Sequence, residues 1–162
     1  MSSRFVTPRP SWAGRCAAFD DRVFGAEAWP LAVWEHELGS TAASYRVLVR
    51  GGGIAALPEI LALGGVSAGV DAEILTLGVA EAARGQGIGG ELLDELLEIA
   101  WAGGAEQVFL EVRAGEAGAA ARHLYGTRGF EIVGERPNYY HGEDALIMRS
   151  TLGNREHYNP RH

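Results

Sequence analysis

Between Leu92 and Trp101 the residues Leu92, Leu93, Leu96, Leu97, Ala100 and Trp101 have the spacing of a broad apolar helical face, and Gly103-Gly104 ends it. From Gln107 to Arg113 the pattern becomes alternation: Val108, Leu110 and Val112 to one side, Phe109, Glu111 and Arg113 to the other, which predicts a strand. Upstream, Trp12 to Phe24 has helical spacing in Trp12, Cys16, Phe19 and Val23, with Ser11 as a plausible cap. Pro30 stands where a second helix can start, Leu31, Trp34 and Leu38 make its stripe, and Gly39 stops it. Tyr45–Arg50 reads as a strand that Gly51-Gly52-Gly53 turns into another over Ile54–Leu63, where Pro58 implies a bulge or an edge. Gly64–Asp71 reads as a flexible connection, and Ala72–Val79 as the next strand. Ala117–Arg128 predicts a short helix closed by Gly129; Phe130–Glu135 and Ala145–Thr151 predict two last strands around an irregular aromatic stretch. This order indicates an α/β fold with a mixed central sheet flanked by helices, in one domain over residues 1–152, followed by a polar tail over 153–162.

Composition narrows the class. A chain of 162 residues with 47% hydrophobic content can bury the core of one ordinary domain. It has no apolar run long enough to span a membrane and no signal-peptide stretch at its start, so a cytoplasmic location is expected. Cys16 stands alone, and the histidines lack metal-ligand spacing, so neither a disulfide nor a metal site is expected. Cys16 reads as a small buried hydrophobe, and Glu35, His36, Glu37 and His123 as solvated surface. A net charge of −7 argues against nucleic acid as a partner and suits a positively charged one. All 14 basic residues are arginine, which excludes any mechanism that needs the chain's own lysine.

The most informative segment joins the Ala72–Val79 strand to the Leu92–Trp101 helix: Arg84-Gly85-Gln86-Gly87-Ile88-Gly89-Gly90. Backbone N–H groups at a helix start converge on one point, and the helix dipole adds partial positive charge there. Glycines remove the Cβ atoms that would hold a ligand's oxygens away. The order strand, glycines, helix therefore builds a phosphate cradle. Gly85 to Gly90 formally satisfies the dinucleotide fingerprint Gly-x-Gly-x-x-Gly, but Ala80-Glu81-Ala82-Ala83 separates it from its strand, and no second mononucleotide half follows. A glycine-rich turn before a core helix is the plain alternative, at the cost of three glycines within five residues.

Arg84-x-x-Gly87-x-Gly89, preceded by Leu77-Gly78-Val79, resembles the coenzyme A site of the GNAT superfamily of N-acetyltransferases. Leu110-Glu111-Val112-Arg113-Ala114, Leu124-Tyr125, Gly129-Phe130, Asn138-Tyr139-Tyr140, Glu143-Asp144-Ala145 and Met148 then recur in the order of the ribosomal-protein-alanine (RimI-type) branch. The likeness is specific from Ile74 to Met148; before that, Trp29-Pro30 and Glu37-Leu38 carry a looser one. It implies acetyl-CoA as cosubstrate, held by Leu77, Gly78, Val79, Arg84, Gly85, Gln86, Gly87, Ile88, Gly89 and Gly90. A protein or peptide N-terminus, such as that of a ribosomal protein, is the implied acceptor, met by Pro30, Tyr139, Tyr140, Glu143 and Asp144. An acceptor that is a small-molecule amine or a lysine, or a coenzyme-binding module without turnover, are the alternatives.

By the same resemblance Glu111 is the base and Tyr125 the acid. A carboxylate within an otherwise apolar strand is costly unless exposed, paired or working, so the plain reading of Glu111 is an ion pair with Arg113 or with a partner across the sheet. The plain reading of Tyr125 is an aromatic core residue beside Leu124. Gly78 and Val79 would offer backbone N–H groups to the thioester oxygen. One departure stands out. The family places an asparagine after the Leu-Glu-Val-Arg segment; here the connection is two residues longer by count, and neither Glu116 nor Gly118 can supply that amide.

Overall fold

The computed structural model describes residues 2–140 and 142–151, with Tyr140 described by its backbone only; the expected tail lies outside the described residues. Strand β1 (Ser3–Val6) and a single 3-10 turn at Pro10–Trp12 lead into helix α1 (Ala13–Phe24), and a second 3-10 turn (Gly25–Glu27) into α2 (Leu31–Leu38). Strands β2 (Ala43–Arg50), β3 (Glu59–Ser67) and β4 (Asp71–Val79) follow, then α3 (Ile88–Ala102), β5 (Gln107–Arg113), α4 (Ala119–Gly126), β6 (Glu131–Tyr140) and β7 (Glu143–Thr151). The strands form one seven-stranded sheet in the order β1-β2-β3-β4-β5-β7-β6. All neighbours are antiparallel except β4 and β5, so the expected mixed α/β sheet is present.

Helices cover both faces. Helix α3 lays Leu92, Leu93, Leu96 and Leu97 against β2, β3 and β4, where they join Val66, Ala72, Val108 and Leu110. Each of those leucines is at least 95% buried, and burying such a side chain is worth about 1.5–3 kcal/mol before chain entropy. On the opposite face, α1 and α2 pack Cys16, Phe19 and Trp34 onto Tyr45, Val47, Val49 and Leu63. Burial there raises the Cys16 thiol to about 11, which keeps it protonated and inert.

Several expectations need correction. Ser11 caps nothing: the Pro10–Trp12 turn precedes α1, and Trp12 occupies the cap position without a side-chain hydrogen bond. The strand expected over Ile54–Leu63 starts only at Glu59; Ile54 is fully exposed, and Pro58 precedes the strand instead of interrupting it. The supposed flexible connection Gly64–Asp71 is largely strand, because Gly64 lies under Leu92 and Leu96, and Gly65 lies against the Tyr45 ring. Strand pattern reading penalises glycine, whereas close approach by other side chains requires it there. The irregular aromatic stretch is also strand, for β6 runs through Pro137 and Asn138 to Tyr140, with a register shift and a φ of 56° at Asn138. Glu37 is not merely solvated; it accepts a 2.8 Å hydrogen bond from the Tyr45 hydroxyl.

Candidate active site

The central strand pairs unequally along its two edges. On one side β4 stays bonded to β3 as far as Val79, with one extra residue, Leu75, between the Thr76–Gly65 and Ile74–Val66 pairs. On the other side β4 pairs with β5 only at Asp71, Ala72 and Glu73, opposite Gln107, Val108 and Phe109. Beyond those pairs the two strands part. A cavity of about 550 Å³ opens between Leu75, Thr76 and Leu77 on one wall and Leu110, Glu111 and Arg113 on the other. Tyr125 from α4 and Tyr139 from β6 close it, and the α1–α2 connection roofs it with Phe24, Glu27 and Trp29.

Glu111 reaches this space because strand alternation sends it away from the buried Val108, Leu110 and Val112. Its carboxylate is 3.0 Å from the Arg136 guanidinium, so the ion pair runs across the sheet to β6 and not to Arg113. It also accepts a hydrogen bond from the Tyr139 hydroxyl, which pushes the phenol above its ordinary value. Glu73, the neighbour of this cluster on β4, is raised first by burial and then by the Glu111 charge. Tyr125 is 8% exposed, with its ring 6.0 Å from Phe130, so it serves both the core and the cavity wall.

The glycine loop carries the predicted geometry. A 3-10 turn at Glu81–Ala83 leads from β4, and Gly87, with φ +79°, occupies the cap position of α3. Gly85 is also left-handed at φ +76°, a conformation costly for any residue with a Cβ. Arg84 is exposed, and its Nε donates to the Val79 carbonyl at 3.3 Å. Gly90 is buried for a different reason: a Cβ there would meet the Arg128 guanidinium, which is held by Asp94 at 3.2 Å. Leu77, Gly78 and Val79 lie at the β4 end from which the loop departs, and Gln86, Ile88 and Gly89 complete the loop and the first turn of α3.

The acceptor-side residues are more scattered. Pro30 is exposed and supplies the carbonyl that starts α2, while its neighbour Trp29 lines the cavity. Glu143 lies beside the cavity wall: it pairs with Arg113 at 2.8 Å and accepts the Gly115 N–H at 3.0 Å. Asp144 accepts the Asn138 N–H at 2.9 Å within the β6–β7 hairpin and exchanges a side-chain hydrogen bond with Glu135.

Three residues to which sequence reasoning gave no site role line or brace the walls. Asp20 is 98% buried on α1, lines the cavity, and accepts the Trp29 N–H at 2.6 Å and the Trp34 indole N–H at 3.3 Å. Burial pushes its carboxyl above the usual range, and these two donors offset part of that rise. Arg113 ties Glu27 of the roof to Glu143 of β7, and its guanidinium is held more firmly protonated, chiefly by the Glu143 hydrogen bond. Arg122 of α4 donates to the carbonyls of Arg113 and Gly115, bracing the longer connection after β5. An acid four residues after Cys16 on a core stripe is the available signal for Asp20; the arginine contacts depend on distant elements and leave none.

A parallel pair of strands that separates over a glycine loop at a helix start defines the class. The model of the acetyltransferase (GNAT) family matches residues 15–130, and the chain belongs to that family. It is 39% identical to the N-alpha-acetyltransferase RimI of Mycobacterium tuberculosis, covering 87% of each chain. It is 36% identical to an uncharacterized Mycobacterium leprae protein over 88% of this chain, but spans only 39% of that protein's length. Among solved structures, the Escherichia coli ribosomal-protein-S18-alanine N-acetyltransferase superposes with a TM-score of 0.80 at 24% identity, over 93% of this chain and 94% of that one. The Arabidopsis thaliana NAA60 complex with acetyl-CoA superposes at 0.81 and 18% identity, over 94% and 99%.

Among the described residues no helix is long and apolar enough to cross a membrane, and no cluster of three His, Cys, Asp or Glu side chains could hold a metal.

Proposed function

We propose that this protein transfers the acetyl group of acetyl-CoA to a primary amine, the N-terminal α-amine of a protein of the ribosomal-protein type. The observation that carries the reading is the parting of β4 from β5, with Glu111 and Tyr125 both on the cavity it leaves. The unpaired edge of β4 suits an extended pantetheine arm, and the loop from Arg84 to Gly90 suits the pyrophosphate beyond it. The amine nitrogen attacks the thioester carbonyl, the C–N bond forms, and the C–S bond then breaks. Glu111 accepts the proton that nitrogen must lose, directly or through a water, and Tyr125 gives its hydroxyl proton to the departing thiolate. Backbone N–H groups of Gly78 and Val79 would stabilise the oxyanion.

Acceptor chemistry favours the α-amine. With a pKa near 8 it is about one unit from neutral at pH 7, roughly 1.4 kcal/mol, whereas a lysine near 10.4 costs roughly three times as much. Three carboxylates, Asp20, Glu27 and Glu111, border one cavity against two guanidinium groups, Arg113 on Glu27 and Arg136 on Glu111, a balance that suits an acceptor arriving as a cation. The test is acetyl-CoA consumption with three peptides: one beginning Ala-Arg with a free N-terminus, its N-terminally blocked twin, and one presenting only a lysine amine. Turnover confined to the first supports the proposal. Turnover on the lysine peptide alone, or on none beside tight coenzyme binding, overturns the acceptor assignment.

A further inference from the structure

A second cavity, of about 540 Å³, lies at the opposite edge of the sheet from the β6–β7 hairpin, between β1, the start of α1 and the β2–β3 loop. Its lining combines Arg4 and Arg9 with Trp12, Leu57 and Pro58, and no acidic residue contributes to it. Arg15 joins two of these walls: its guanidinium lies 4.5 Å from the Trp12 ring centroid, and its Nη2 donates to the Pro58 carbonyl. The other terminal nitrogen, Nη1, is buried and finds no acceptor among the described residues. Burial seals that nitrogen off from the cavity, so Arg15 braces the Trp12 and Pro58 walls while Arg4 and Arg9 line the space itself.

The charge at this corner is locally positive. With 21 acidic residues for 14 arginines, carboxylates are abundant, and Arg46, Arg50, Arg113, Arg128 and Arg136 each have one as an ion-pair partner. Among the described residues Arg4, Arg9 and Arg15 form no such pair; Arg4 donates only to the Gly51 carbonyl, at 3.4 Å. Arg22, Arg84, Arg122 and Arg149 likewise form none among the described residues, so what sets this corner apart is placement: Arg4 and Arg9 share one concave surface with no carboxylate on its described lining, a place where negative charge can be supplied from outside. The loop that completes the wall turns tightly: Gly51 and Gly52 are both left-handed, at φ 73° and 89°, and Pro58 packs against Gly52 where a Cβ would stand.

We propose that this cavity binds a small organic anion, its carboxylate or phosphate oxygens on Arg4 and Arg9 and its apolar body on Trp12 and Leu57, with Arg15 bracing the Trp12 and Pro58 walls from behind. The site is separate from the acetyl-transfer cavity, with which it shares no lining residue. The proposal does not depend on the acceptor assignment.

The test uses the full chain saturated with acetyl-CoA, which removes binding at the coenzyme loop from consideration. Phenyl phosphate, benzoate, inorganic phosphate and uncharged benzyl alcohol are titrated in turn, with the Trp12 indole N–H and the Gly51–Gly53 amides followed by NMR. Saturable shifts with phenyl phosphate or benzoate, absent with benzyl alcohol and weakened by salt, are expected. The stronger of the two distinguishes a phosphate from a carboxylate ligand, and a response to inorganic phosphate alone would refute the apolar subsite. Arg4→Gln and Arg9→Gln, at exposed positions, should each weaken binding about tenfold, the usual effect of losing a charge-assisted hydrogen bond. No saturable shift with any anion, or affinity unchanged by both exposed substitutions, would sink the proposal.

Discussion

The two edges of β4 perform opposite tasks. Toward β3 the ladder continues to Val79, and side chains from both faces press so closely that Gly64 and Gly65 have no space for a Cβ. Toward β5 the ladder stops after Glu73, and the residues beyond it face a cavity. One edge therefore stores stability, while the other gives up backbone pairing and leaves the space that the proposed reaction assigns to its substrates. An unpaired strand edge inside a domain is normally a liability. It persists here because the outer walls of the gap are tied by long-range contacts: Arg113 to Glu27 and Glu143, Arg136 to Glu111, Arg122 to the β5 end.

This contrast predicts that substitutions on the open edge affect rate while those on the closed edge affect folding. The largest expected effect is from Tyr125→Phe. Loss of a general acid lowers turnover by about 10²–10⁴-fold. The ring stays against Phe130, so the melting temperature and coenzyme affinity should hardly move. A variant with unchanged turnover would take Tyr125 out of the mechanism. Glu111→Gln should come next, lowering turnover and flattening the pH profile of transfer, while the side chain keeps contact with Arg136 and Tyr139. If the profile kept its shape, the carboxylate would be a structural partner of Arg136 and nothing more.

On the closed edge, Gly64→Val serves as the counterpart. An ideal Cβ at Gly64 would sit 2.8 Å from Leu96 Cδ1 and 3.2 Å from Leu92 Cδ2. Overpacking of this kind costs about 1–3 kcal/mol, read as a lower denaturant midpoint in urea unfolding. Turnover per folded molecule should stay close to that of the parent. A variant as stable as the parent would show that the β3–α3 contact has slack, and the contrast between the edges would lose its basis.

How much of this is legible in the sequence follows the same division. The β5 bounds, Gln107–Arg113, match the alternation, because a strand buried on one face repeats every second residue. Helix α2 is bounded as Pro30 and Gly39 imply. Glu111 and Tyr125 are singled out by family resemblance, where local pattern alone reads an ion-pair partner and a core aromatic; both border the cavity, and the glycine loop lies between strand and helix as its pattern implies. Strand β1 escapes pattern reading because four edge residues carry too little of it, and β3 is displaced because its glycines answer to Leu92, Leu96 and Tyr45, far away in sequence. Arg136 and the Arg113 contacts are illegible for the same reason: partners are chosen by the fold, at sequence separations that periodicity does not reach; Asp20 leaves only the signal of an acid on the Cys16 core stripe, which does not name its Trp29 and Trp34 partners.

The smallest effect concerns the roof of the cavity. Asp20 is buried and titrates above its unfolded value, so folding favours its protonated form. The stability it contributes is then fully present below the unfolded carboxyl value, near pH 4, and is lost as pH rises through the raised folded value. Asn at this position is neutral throughout and can still accept the Trp29 and Trp34 N–H groups through its carbonyl oxygen. Asp20→Asn should therefore be less pH-dependent than the parent over that window, its relative stability improving by about 1 kcal/mol for each pH unit climbed between the unfolded and folded values. Parallel urea titrations between pH 3.5 and 7 measure it. A stability gap that instead widens against Asn with rising pH would mean that the ionised carboxylate is the better partner for the two N–H groups. The hydrogen bonds to Trp29 and Trp34 would then outweigh burial, and the roof of the open edge would be held by charge.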